Sequence, residues 1–278
     1  MSAPHSVLAH GAAVPAIGLG TYPLSGADCA RAVAYALQQG YRHVDTAAIY
    51  GNEDGVGDGL RASGVAREAV FVTTKVWRDD LRGKALLAAA DASLKRLRLD
   101  QVDLLLIHWP NSDIPLGETL AALAEAKRRG LTKHIGVSNF PAALLRQAVE
   151  QCDEPIVANQ CEYHPRLDQT KLIAACRELG VAFVSYAPLA HAELMGDPAI
   201  ARIAVAHRKT PGQIILRWHV QQPGVAAIPK SGREQGIKNN LDVFGFALSA
   251  QDMMDIAALR RRDGRLVDPG WAPDWDKP

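Results

Sequence analysis

The sequence predicts an α/β fold, a closed (β/α)8 TIM barrel. Three observations lead there. Eight short apolar runs recur along the 278 residues, most of them continuous rather than alternating, as strands buried on both faces read. Their starts fall 22 to 32 residues apart, with a last gap of 44, which suits a strand and a crossover helix in each interval. Amphipathic helical patterns fill those intervals. A doubly wound sheet is the alternative. It calls for Gly-x-Gly-x-x-Gly after the first strand, and "GLGTYPLSG" gives Gly18 and Gly20 without the third glycine in place.

Taken in order, the first sixteen residues, with Gly11 and Pro15, read as a β-hairpin ahead of the barrel. The strands then expected are 17–22, 42–47, 70–76, 102–109, 134–140, 156–163, 181–187 and 225–230. "DCARAVAYALQQG" is a helix stopping at Gly40. "LLAAADASLKRL" lines up Leu87, Ala90, Leu94 and Leu97 on one stripe. "ETLAALAEAKRRG" closes on Lys127, Arg128, Arg129 and then Gly130, cations in a last turn followed by a glycine stop. The long last gap holds two helical patterns, "DPAIARIAVAHRK" and "TPGQIILRWHVQQPG", so an extra helix precedes the last strand. The tail "RLVDPGWAPDWDKP" carries three prolines and two tryptophans, and reads as a loop folded back over one face. No linker or low-complexity stretch divides the chain, so residues 1–278 are expected to form a single barrel domain.

Composition narrows the function. A net charge of +1 argues against a nucleic-acid or membrane-surface partner recognised by bulk charge. No apolar run reaches the ~20 residues of a membrane span, and the start shows no basic region followed by an apolar core. Cys29, Cys152, Cys161 and Cys176 are far apart and form no C-x-x-C pair, which fits free thiols in a cytoplasmic protein. The nine histidines lack ligand spacing, so no metal is expected.

In such barrels chemistry sits at the C-terminal ends of the strands. The second strand ends near Asp45 with Tyr50 beyond it, the third at Lys75, the fourth at His108. Taken singly, Asp45 could cap a turn, Lys75 could be a solvated strand end and His108 a hydrogen-bonded core histidine. Together they make a proton-transfer site. A phenol with a reference pKa near 10 is a poor donor at neutral pH unless that value falls. A neighbouring ammonium is expected to lower it, and a carboxylate would hold that ammonium in place. A histidine beside the phenol would orient a carbonyl oxygen for protonation.

The ordered series "GYRHVDTAAIYGNE", "TTKVW", "LIHWP", "GVSNF", "NQCEYHP", "SYAPL" and "IPKS" resembles the aldo-keto reductases from about Ile17 to Leu248, and the tail resembles their 2,5-diketo-D-gluconate and methylglyoxal reductase branch. The resemblance implies a catalytic tetrad of Asp45, Tyr50, Lys75 and His108, with Tyr50 as general acid in reduction. It implies NADPH as cofactor, NADH being accepted to some degree. Ser138, Asn139 and Gln160 would hold the carboxamide and Tyr186 would stack on the nicotinamide. Gly20, Thr21, Asp45, Leu189, Lys230, Ser231, Arg233 and Asn240 would complete the cofactor site. Where the family places an arginine on the 2′-phosphate stands Gly236, and Asn239 replaces a usual glutamate. Tyr22, Tyr50, Trp77, His108, Trp109 and Trp271 are the expected pocket walls. The expected substrates are small activated carbonyls, namely 2,5-diketo-D-gluconate, methylglyoxal and β-keto esters, reduced by a monomer. A cofactor-binding regulatory module of the same fold is the alternative, against which the intact tetrad argues.

Overall fold

The computed structural model describes residues 5–276. Strands β1 (Ser6–Ala9) and β2 (Ala12–Pro15) form an antiparallel hairpin. Its two-residue turn places His10 at φ 45° and Gly11 at φ 86°, the left-handed backbone that matches strand twist in tight hairpins. Eight parallel strands follow: β3 (Leu19–Gly20), β4 (His43–Asp45), β5 (Phe71–Val76), β6 (Val102–Ile107), β7 (Thr132–Ser138), β8 (Ile156–Glu162), β9 (Ala182–Tyr186) and β10 (Val225–Ala227). Each pairs with its sequence neighbour. The ends meet where Ala227 N donates to Ala16 O at 2.8 Å and Gly18 N donates to Ala227 O at 2.9 Å, with Ile17 bridged to Ala227 in parallel. The sheet is thereby closed, and all eight expected strands are present.

Helices α1 (Gly26–Gln38), α2 (Glu53–Ala62), α3 (Gly83–Leu97), α4 (Leu116–Arg128), α5 (Ala142–Gln151), α6 (Thr170–Glu178), α7 (Pro198–His207), α8 (Pro211–Val220), α9 (Glu234–Leu241) and α10 (Ala250–Ala257) surround it. Two cores result. Inside the barrel, Leu104, Leu106, Ala158, Val184, Ala226 and Ile228 pack on Ala9, Ala12 and Val14 of the hairpin, which plugs the bottom. Outside, the other faces of the strands bury against the helices.

The extra helix before the last strand is there: α7 is capped by the Asp197 carboxylate and α8 by a Thr210–Gln213 capping box. Three details differ from expectation. The first strand shortens to Leu19–Gly20. On α3 it is Leu86 that is fully buried, with Leu87 only half-buried. Helix α2 was not legible, because "EDGVGDGLRA" carries three glycines that weaken any helical pattern. Packing explains all three. A Cβ at Gly57 would collide with the backbone of Leu97 at the end of α3. A Cβ at Gly55 would lie 2.8 Å from Gly26 O, and one at Gly59 2.6 Å from Ala30 O, so these glycines let α2 approach the α1 backbone.

Candidate active site

Parallel register sets the site. Asp45 closes β4 beside Thr73. Lys75 stands two residues further along β5, opposite Leu106. His108 directly follows β6, and Tyr50 ends a 3₁₀ turn over Ala48–Tyr50. All four therefore collect at the C-terminal rim. Lys75 is wholly buried, and a buried ammonium must be paired. Its Nζ donates to Asp45 Oδ1 at 2.5 Å, to Thr46 O at 2.8 Å and to Tyr50 Oη at 3.5 Å. The last is at the outer limit of a hydrogen bond. Gln160 reaches across the barrel and donates to Asp45 Oδ2 at 2.7 Å, so both carboxylate oxygens are satisfied.

Burial opposes the Lys75 charge, but Asp45 and then Tyr50 outweigh it and hold the ammonium above its ordinary value. The phenol behaves differently from expectation. Burial raises the Tyr50 pKa more than Lys75 lowers it, and Asp45 adds to the rise. The physical reason is geometric: Lys75 gives its short contacts to Asp45 and Thr46 and only a long one to the phenol. Burial, helped by Lys75, pushes His108 well below its usual range, so the imidazole is neutral. Its Nδ1 is buried without a hydrogen-bond partner. A proton there would leave a buried donor unmet, so the proton belongs on Nε2. The Tyr50 and His108 rings meet edge to face at 5.6 Å.

Aromatic side chains wall the space around this pair. Tyr22 lies 5.0 Å from Tyr50, Trp77 5.3 Å from His108, and Trp271 5.8 Å from Trp77 and 5.1 Å from Trp109. Tyr22 is 62% exposed and Trp271 40%, so this wall opens to solvent. The tail thus does fold back over one face, pinned at its far end where Ala142 N donates to Asp276 Oδ2 at 2.9 Å.

The expected cofactor residues fall into two groups. Ser138, Asn139, Gln160 and Tyr186 form one chain of contacts beside His108. Ser138 Oγ donates to Gln160 O at 2.7 Å, Asn139 Nδ2 to His108 O at 3.0 Å, and Tyr186 Oη to Asn139 Oδ1 at 2.9 Å. Asn139 adopts φ 63°, a left-handed conformation that asparagine tolerates. Thr21 N and Oγ1 donate to Asp45 O at 3.1 and 3.0 Å. The second group follows β10. Gly20 N donates to Pro229 O at 3.1 Å, so Lys230 and Ser231 share the rim with Gly20. Lys230 and Arg233 are exposed and Asn240 is buried. Asn239 is occupied with Gln235, whose Nε2 donates to its Oδ1 at 2.8 Å. Leu189 is half-buried in a loop where Ala187, Ala190, His191 and Ala192 all have positive φ.

Sequence reasoning passed over several residues. Trp275 extends the aromatic wall, 5.9 Å from Trp109. Asn52 is buried, accepts from Thr46 Oγ1 at 2.7 Å and donates to Leu24 O at 2.8 Å. It fixes the loops that carry Tyr50 and Tyr22. Glu162 is buried between β8 and the tail. Their signals were present in "YGNE", "NQCEYHP" and the tail, but nothing in the linear sequence says which partner each meets. A cavity of about 330 Å³ near Ser6, Val7 and Val225 lies at the start of β10, the opposite end of the strands from the tetrad. Among the described residues no cluster of three or more His, Cys, Asp or Glu side chains is placed to hold a metal ion. Nor is any helix there long and apolar enough to cross a membrane.

Comparison with known proteins agrees with this geometry. The aldo/keto reductase family model matches residues 16–261. Methylglyoxal reductase DkgB from Escherichia coli O157:H7 is 42% identical over 268 residues, 95% of this chain and 100% of that protein. A crystal structure provisionally named 2,5-diketo-D-gluconic acid reductase B superposes with a TM-score of 0.97 at 46% identity, covering 99% of this chain and 98% of the other. The Bombyx mori aldo-keto reductase in complex with NADP superposes at 0.88 and 34% identity, covering 96% and 95%. The chain belongs to the aldo/keto reductase family and is an oxidoreductase.

Proposed function

We propose that this protein reduces small activated carbonyls, namely methylglyoxal, β-keto esters and diketo-sugar acids, to alcohols with NADPH. The observation that carries this is the Asp45–Lys75–Tyr50 chain, with Lys75 Nζ at 2.5 Å from Asp45 and 3.5 Å from Tyr50, set beside a neutral His108 in an aromatic pocket. A bound nicotinamide supplies the hydride. Ser138, Asn139 and Gln160 offer amide and hydroxyl groups for its carboxamide, and half-buried Tyr186 offers a ring face beside them. His108 Nε2–H donates to the substrate carbonyl oxygen and orients it. Tyr50 delivers the proton. A phenol whose pKa is raised is fully protonated at neutral pH, and it still donates readily to an alkoxide, which is far more basic than phenolate. Lys75 stabilises the phenolate left behind, and Asp45 keeps Lys75 charged. The four free cysteines fit a reducing, cytoplasmic setting.

A substrate panel tests the reading. With NADPH consumption followed by absorbance, methylglyoxal, a β-keto ester and a diketo-sugar acid are expected to be reduced well, because an aromatic pocket with only His108 and the Tyr50 hydroxyl at its base has few groups to hold a larger polyfunctional molecule. A bulky steroid ketone emerging as the best substrate would contradict it.

The phosphate end supports NADPH with reduced discrimination. Lys230 and Arg233 are exposed beside the N-terminus of α9 and form no ion pair among the described residues. Two free cations next to unpaired helix N–H groups suit a phosphate. Gly236 lies within α9 and its φ is not in the left-handed region, so the backbone accepts a side chain. A Cβ there would nevertheless collide with Ser231 Oγ, the acceptor for Arg233 N–H at 3.1 Å. Gly236→Ala is therefore expected to weaken NADPH and NADH binding together, by displacing Ser231. Gly236→Arg, measured against Gly236→Ala, is expected to regain NADPH alone by about 10- to 150-fold, the worth of hydrogen bonds to a charged group. Fluorescence-quenching titrations of both cofactors separate the two effects. Equal recovery of NADH would place residue 236 away from the 2′-phosphate.

A further inference from the structure

Glu162 ends β8, two residues beyond Gln160, and has no solvent exposure. Its carboxylate makes no hydrogen bond or ion pair with any tetrad residue among the described ones. It receives three N–H donors instead. Leu266 N donates to Oε1 at 2.7 Å and Val267 N to Oε2 at 2.8 Å. His164, also fully buried, places Nε2 3.0 Å from Oε1. The His164 Nδ1 is buried without a partner, so the imidazole proton sits on Nε2 and is donated to the carboxylate. Gln169 Nε2 donates to the Glu162 backbone carbonyl at 2.8 Å and holds the strand end. A carboxylate accepting successive backbone N–H groups is a short, charge-assisted clamp. What it clamps is the root of the tail. Four residues beyond Val267 comes Trp271, the wall against Trp77 and Trp109, then Trp275 on Trp109. Glu162 also pairs in register with Tyr186 across β8 and β9.

We propose that Glu162 is a positioning residue for substrate selectivity. Its carboxylate grips the Leu266 and Val267 amides and thereby fixes the tryptophan wall of the tail over the pocket, leaving cofactor binding and proton transfer to other residues. This rests on the reductase reading above. The proposal is carried by the double backbone contact, since a side chain needed only for core packing would not offer both carboxylate oxygens to consecutive amides of a distant segment.

Glu162→Gln tests it. The amide keeps the shape but turns one acceptor into an NH₂ that faces a tail N–H. Hydrogen exchange is expected to lose about 10- to 100-fold of protection across residues 266–276, with the barrel strands unchanged. KM is expected to rise by a similar factor for a β-keto ester, which reaches the wall, and less for methylglyoxal, while kcat changes little. NADPH affinity by fluorescence quenching should stay within about twofold of wild type. Trp271→Ala added to Glu162→Gln should raise KM no further, because the wall is already released. Should Glu162→Gln fail to fold, Val267→Pro removes one clamped N–H from the tail side and should show the same exchange and KM pattern. Unchanged tail exchange together with unchanged KM overturns the proposal. So does a loss of NADPH affinity in parallel with the rise in KM, which would mean that Glu162 acts through Tyr186. A wild type unable to reduce any carbonyl would sink the reductase reading instead, and tail exchange would still decide the clamp.

Discussion

Tyr50→Phe is expected to reduce the rate of carbonyl reduction by about 10²- to 10⁴-fold, the usual contribution of a general acid, while NADPH binds as before. Among the described residues the phenol oxygen is the one hydroxyl that meets Lys75 Nζ at the rim, at 3.5 Å. His108 cannot take over the proton transfer. Burial and Lys75 hold it neutral, so it can donate a hydrogen bond but is a poor source of a proton at neutral pH. Removing one oxygen leaves the ring contacts with Tyr22 and His108 in place, so the pocket keeps its shape. The measurement is single-turnover reduction of methylglyoxal beside a fluorescence titration of NADPH. Retention of more than about a tenth of wild-type activity would remove Tyr50 from its assigned role.

Lys75→Met carries the second large effect, and it acts on both stability and pH dependence. Asp45 and Lys75 are both buried and joined at 2.5 Å. Removing the ammonium strands a buried carboxylate with Gln160 as its one remaining donor among the described residues, which costs about 3–5 kcal/mol in buried pairs. Asp45→Asn in the same chain should restore part of that stability without restoring turnover, as read by denaturant unfolding. The pH effect has a definite sign. Reduction needs the protonated phenol and proceeds below the Tyr50 pKa, whereas alcohol oxidation needs phenolate and proceeds above it. Burial already raises this pKa, and Lys75 is the largest influence lowering it. Its loss therefore moves the oxidative limb further to alkaline pH and slows oxidation at neutral pH more than reduction. An oxidative limb that stays put in an active Lys75→Met variant would break the coupling between the two residues.

The sequence by itself determined the strands, the barrel and the membership of the rim. Continuous apolar runs as short as "VDLLLI" read as strands covered on both faces. Their regular spacing favours a closed barrel, and the absent third glycine after the first strand argues against the doubly wound alternative. In such a barrel a residue at a strand end must lie at the rim, so Asp45, Lys75 and His108 could be placed together from position alone. Tertiary structure decided what linear order does not encode. Helix α2 was hidden because its glycines serve close contact with α1 and the end of α3 rather than helix propensity. The sign of the Tyr50 shift depended on a difference between contacts at 2.5 and 3.5 Å, since Coulomb attraction falls with distance while desolvation acts on the whole buried group. Glu162 meets amides more than a hundred positions away, and only closure of the chain over the rim brings them together. Local pattern fixes which residues stand at an element's end, because burial periodicity is local. Partners, distances and the balance of charge against burial are properties of the closed fold.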